Sequence, residues 1–128
     1  MAAPNIVNVS VITGSTSYLI PSTTSATTWT ALTPTATGNV VHRVDFITAA
    51  NVTTSAATIT LSVNSAIAGG GTAYRIAYQI TVPPGATLVL VDKTTALYID
   101  QTQSIVATVG STGSPIELVA SYEAITAP

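Results

Sequence analysis

Residues 72–109 constrain the fold more than any other stretch. In TAYRIAYQITV, apolar Tyr74, Ile76, Tyr78, Ile80 and Val82 alternate with Arg75, Ala77, Gln79 and Thr81, the period of two that sets one strand face on a core and the other in water. Pro83-Pro84-Gly85 ends the run, because prolines withhold backbone donors and Pro84-Gly85 fits the central positions of a type II turn. Residues 86–91 (ATLVLV) form a second strand. ALYID places Leu97 and Ile99 on one face and Tyr98 on the other, and SIVATV runs to Val109, with DKTT and QTQ as polar breaks. Four strands in under forty residues set the architecture.

The rest of the chain follows the same grammar. Residues 5–12 place Val7, Val9 and Val11 on one face against Asn8 and Ser10, and Gly14 is expected to break that strand. Residues 17–20 read as a short strand ending at Pro21, and residues 22–33 as a β-branched one anchored by Trp29. Residues 40–47 set Val40, His42, Val44 and Phe46 on one face and Val41, Arg43, Asp45 and Ile47 on the other. AANVTTSA is a turn region; ATITLSV puts Ile59, Leu61 and Val63 inside and Thr58, Thr60 and Ser62 outside; AIAGGG reads as a flexible link; residues 116–122 form a last strand with Leu118 and Ala120 inward. About ten short strands predict an all-β chain, an antiparallel β-sandwich that is jelly-roll-like, since two closed sheets hide edges that one flat sheet would expose. Residues 1–128 are expected to form a single domain, with residues 1–5, held extended by Pro4, either a loose end or an extended N-terminal arm lying on a neighbour.

Charge is scarce. With 6% charged residues and a net charge of −2, the chain has no positive field for a phosphate backbone, so nucleic acid is not an expected partner. The surface must be largely Thr, Ser, Ala and Asn, and so little charge gives weak colloidal repulsion, which favours permanent contacts between subunits. No cysteine is present, which excludes disulfides and thiolate metal sites. The opening MAAPNIVNVS lacks a basic n-region, and no stretch approaches the roughly 18 apolar residues of a membrane span, so a chain made in the cytoplasm without a membrane partner is expected.

The chemistry-bearing residues form no recognisable set. His42, the one histidine, and Asp45 are three apart on a strand and point to opposite faces, so His42 is expected to be structural. The five acids, Asp45, Asp92, Asp100, Glu117 and Glu123, have no paired spacing, and no GxSxG elbow supplies a nucleophile. Gly69-Gly70-Gly71 lacks the lysine and helix of a phosphate loop, and neither a DxDxD run nor a second imidazole offers a metal site. No catalytic residue, cofactor or metal is therefore expected. Asn8-Val9-Ser10 and Asn51-Val52-Thr53 match the N-glycosylation pattern by chance in a Thr/Ser-rich chain. Trp29 and the tyrosines offer a sugar-stacking platform, but the alternation puts Tyr74 and Tyr78 with Ile76 and Ile80 in the core and leaves Tyr98 free for a contact.

The segments MAAPNIVNV, AGGGTAYRIAYQITVPPGATLVLVDKTTALYID and ELVASYEAI resemble small virion structural proteins of tailed bacteriophages. That resemblance implies an all-β capsid decoration (cement) protein, present in many copies and often trimeric, that binds the major capsid protein and stabilises the head; the expected state is a homotrimer on the virion surface. The alternative it leaves open is a tail, neck or fibre component, or a module binding host-surface glycan through Trp29 and Tyr98. Ile6, Val7 and Val9 are the expected anchors of an arm added to a neighbour's sheet edge, and Trp29 and Tyr98 the further interface residues.

Overall fold

The computed structural model describes residues 9–21, 27–28, 40–95, 97–100, 102–110 and 115–126. Their regular structure is strand with two short 3-10 turns, at Ile67–Gly69 and Lys93–Thr95. The strands are β1 (Val11–Leu19), β2 (Thr27–Thr28), β3 (Val40–Asn51), β4 (Ala57–Asn64), β5 (Ala73–Val82), β6 (Thr87–Val91), β7 (Leu97–Ile99), β8 (Ser104–Val109) and β9 (Ile116–Thr126).

Antiparallel pairs nest inside one another: β1 with β9, β2 with β8, β3 with β6 and β4 with β5. A long hairpin with that pairing, rolled up, gives two sheets of order β1-β9-β3-β6 and β2-β8-β4-β5, which is the jelly-roll arrangement. The small β7 extends the first sheet by pairing with β3 at His42–Val44. The expected jelly-roll-like sandwich is therefore the fold.

The core lies between the sheets. Val44, Ile47, Ala49, Ile99, Ile116, Leu118 and Ala120 of the first sheet meet Ala57, Ile59, Leu61, Val82, Ile105 and Ala107 of the second, all essentially inaccessible to solvent. Burying each large aliphatic side chain here contributes about 1.5–3 kcal/mol. Ile59, Leu61, Leu118 and Ala120 face inward as their alternation predicts.

Turns occur where backbone chemistry demands them. Ala86 N–H donates to the Pro83 carbonyl (3.1 Å) and Gly85 sits at φ 70°, the type II turn read from Pro84-Gly85. One motif closes three others. In Asn51-Val52-Thr53, Asp92-Lys93-Thr94 and Asp100-Gln101-Thr102, the first side-chain oxygen accepts both the backbone N–H and the hydroxyl of the threonine two residues on.

Several expectations are corrected. Gly14 breaks nothing. It lies mid-strand opposite Glu123 in an unbroken nine-pair ladder, so the expected strands at 5–12 and 17–20 give way to one strand, β1, because extended backbone tolerates glycine when a neighbour supplies the hydrogen bonds. In β3 a register shift between Val44 and Phe46 inserts Asp45 as a bulge, turning Phe46 out and Ile47 and Ala49 in. AIAGGG is not a loose link. Its 3-10 turn is pinned by Asn64 Nδ2 to the Gly69 carbonyl (2.9 Å) and by Gly69 N–H to Ser104 Oγ (3.0 Å). The last strand runs on to Thr126.

The largest correction concerns β5, expected to bury Tyr74, Ile76, Tyr78 and Ile80. All four are exposed, Tyr74 by 64% and Tyr78 by 59%, while Ala77 and Val82 are the buried residues. Among the described residues β5 is an edge strand paired with β4 alone, and two bulges interrupt that pairing. Between Ile59 and Leu61 the partner jumps from Ile80 to Ala77, and between Leu61 and Ser62 from Ala77 to Arg75. The first extra residue flips the phase, which sets Ala77 inward opposite Leu61, and the second restores it; Ile80 opposite Ile59 and Tyr74 opposite Val63 keep the expected side but lie exposed at the sheet edge.

Candidate functional site

Of the expected interface residues, Ile6, Val7 and Trp29 lie outside the described residues. Val9 is half-buried just ahead of β1, and Tyr98 on β7 is 40% exposed opposite Arg43 of β3. Strands β9 and β3 separate β1 from β7, so three strand spacings, roughly 14 Å, keep these two residues in different patches. They do not converge on one site.

His42 is buried, and its ring packs on Tyr122 with centroids 5.0 Å apart at 47°, the aromatic contact of a packing residue. Arg43 Nε and Asp45 Oδ1 share the opposite face at 3.7 Å, beyond hydrogen-bond reach, and neither atom has another hydrogen-bond partner. Among the described residues no three His, Asp or Glu side chains cluster to hold a metal ion. Asn51 of the glycosylation pattern is buried, its Nδ2 donating to the carbonyls of Ser55 (2.8 Å) and Val82 (2.9 Å). In the folded chain that nitrogen has no room for a glycan.

Two surfaces remain. The first is the β1 edge. Among the described residues β1 pairs with β9 alone, in a ladder without a bulge. Its sequence VITGSTSYL has no charge and no proline, and Val11 (52%), Ile12 (54%), Tyr18 (78%) and nearby Ile20 (55%) are exposed. Native sheets blunt their edges with charge, proline, bulges or brevity. The other edge strands do so: β5 is bulged and carries Arg75, and β6 and the described β2 are short. At the end of β1, Tyr18, Leu19 and Ile20 with Leu118 and Val119 line a mostly apolar hollow of about 480 Å³ that Glu117 also borders.

The second surface is the outer face of the second sheet. There Thr60, Ser62, Asn64, Arg75, Val106 and Thr108 line a polar cleft of about 170 Å³. The Arg75 guanidinium lies over the Tyr78 ring, 5.5 Å from its centroid. Sequence alternation sets Thr60, Ser62 and Arg75 outward but assigns Tyr78 to the core, so it misses the ring that holds Arg75 beside the cleft.

No protein-family description matches the chain, and no curated protein matches it. Among solved structures its fold is similar to one reported under the heading "Bacillus endospore appendages form a novel family of disulfide-linked pili", with a TM-score of 0.50 and 12% identity, covering 91% of this chain and 89% of that one. At that identity the likeness is one of fold. Among the described residues no helix is long and apolar enough to cross a membrane.

Proposed function

We propose that this chain is a non-enzymatic structural subunit, a decoration protein that docks on the major capsid protein of a tailed-phage head and reinforces it. The observation that carries this reading is the β1 edge, unpaired among the described residues: nine residues of uncharged, unbulged strand beside exposed Val11, Ile12, Tyr18 and Ile20. Such an edge offers backbone donors and acceptors to an added strand, and its flanking apolar side chains add buried area. The stated resemblance supplies the capsid as the partner.

A second reading, a filament subunit, is favoured by the fold likeness to disulfide-linked pili. This chain has no cysteine, so any filament it built would be held without disulfides.

Co-sedimentation with heads assembled from the major capsid protein alone tests the first reading. The parent protein should bind, and a Thr13→Lys, Ser15→Lys variant, whose exposed charges guard the edge, should fold with an unchanged melting temperature and no longer bind. If the parent fails to bind heads and instead forms fibres visible by negative-stain microscopy, the filament reading replaces it. If the lysine variant binds like the parent, the β1 edge is not the docking element.

A further inference from the structure

Strand β5 spends two bulges and a left-handed residue on its course. Gln79 sits at φ 49°, an uncommon conformation for a residue with a side chain. Its N–H is turned off the ladder to donate to Thr60 Oγ1 (3.0 Å). Bulges re-aim side chains, and strained residues gather at binding sites. Here the second bulge sets Arg75 opposite Ser62 on the outer face, and the Tyr78 ring supports its guanidinium.

The polar groups beneath are fixed rather than spent. Thr60 Oγ1 accepts from Gln79 and keeps its own proton to donate. Ser62 Oγ donates to Asn64 Oδ1 (3.0 Å) and keeps its lone pairs, while Asn64 is locked by the Gly69 carbonyl. Thr108 adds a further hydroxyl, and Val106 an apolar floor. Arg75 has no carboxylate partner among the described residues. The cleft thus presents hydroxyl donors and acceptors to a ligand that carries both, and one guanidinium to a carboxylate. At about 170 Å³ it takes a single ring, well below the roughly 300–1,000 Å³ of drug-sized sites.

We propose that this cleft binds an acidic saccharide unit of the uronic-acid type, with the sugar carboxylate on Arg75 and ring hydroxyls on Thr60, Ser62 and Thr108. The site lies on the second sheet, away from the β1 edge, and stands whether or not the capsid reading holds.

The test is an NMR titration of the full chain with sodium glucuronate, glucose, the neutral methyl ester of glucuronic acid, and acetate. Glucuronate should shift the amides of Thr60, Ser62, Arg75 and Thr108 saturably, and the ester and glucose should bind more weakly by about tenfold or more, the loss expected with one charge-assisted contact. Arg75→Gln, at an exposed position, should leave the melting temperature unchanged and reduce glucuronate to the level of glucose. Ser62→Ala should weaken glucuronate and glucose together. Acetate shifting the same amides as strongly would overturn the saccharide assignment, and no saturable shift with glucuronate, or an Arg75→Gln variant that binds as the parent does, would overturn the site.

Discussion

Replacing Asn51 tests how the β3–β4 loop is held. The side chain is 2% exposed and makes four hydrogen bonds, Nδ2 to the carbonyls of Ser55 (2.8 Å) and Val82 (2.9 Å), and Oδ1 from the N–H (2.9 Å) and hydroxyl (2.7 Å) of Thr53. In Asn51→Ala, water replaces the partners at exposed Thr53 and Ser55, so those bonds count for little. The Val82 carbonyl sits beside a fully buried side chain, and stranding it costs about 1–3 kcal/mol, to which the lost loop bonds add about 1 kcal/mol. A loss of about 2–4 kcal/mol lowers the melting temperature by about 10 °C in a domain of this size.

Asn51→Asp sharpens the test, since it has the same shape. One carboxylate oxygen still accepts from Thr53, but the other faces two carbonyl oxygens and needs a proton to sit there. Its folded pKa is therefore raised above the unfolded value of about 3.9. The sign follows: stability is greatest below the unfolded pKa and is lost as pH rises through the folded one. At neutral pH Asn51→Asp should melt no higher than Asn51→Ala and should regain stability toward pH ~4, while Asn51→Ala tracks the parent at a constant offset. Calorimetry at the two pH values reads this directly. An Asn51→Asp protein as stable as the parent at neutral pH would refute the assignment of the amide as donor to Val82.

Two glycines at φ 70° should respond unequally to alanine. A Cβ at Gly85 meets open space, so only the backbone cost of about 1–2 kcal/mol applies; a Cβ at Gly71 meets Ser65 Oγ and the Ala66 nitrogen and displaces the Ser65 oxygen that receives Thr72 N–H (2.8 Å), so urea should unfold Gly71→Ala well before Gly85→Ala, and equal midpoints would refute this. At Asp92 the Thr94 hydroxyl above all, outweighing desolvation and helped by the Thr94 and Thr95 amides and the Thr95 hydroxyl, holds the carboxyl below its usual range. The turn's stabilisation is then present above the unfolded pKa and lost as pH falls through the lower folded one; the Thr94 amide resonance should report that depressed midpoint, and a midpoint at the ordinary aspartate value would count against it.

What was legible in the sequence divides along one physical line. Alternation reports that a segment is extended, and where local chemistry also fixes the ends, the reading holds: Pro83-Pro84-Gly85 set the β5–β6 turn, and β5 to β8 fall in the four expected places. Alternation does not report phase. Which set of side chains faces inward is decided by register against a neighbour, and one inserted residue exchanges the sets. Asp45 does this in β3, and in β5 the first bulge does it until the second restores the phase. Neither place carries a glycine or asparagine to mark it, because Gln79 holds its left-handed turn through Thr60 of the adjacent strand, a partner nineteen residues away. The Asx-x-Thr turns were legible in principle, since their hydrogen bonds are local; Asn51-Val52-Thr53 also fits a glycosylation pattern, and only the burial of Asn51 separates the two readings. The polar cleft was hidden in part. Strict alternation leaves Arg75, Thr60 and Ser62 on the water-facing sides of their strands but sends Tyr78 to the core, so the ring that lies beneath the Arg75 guanidinium was the part of the site the sequence concealed.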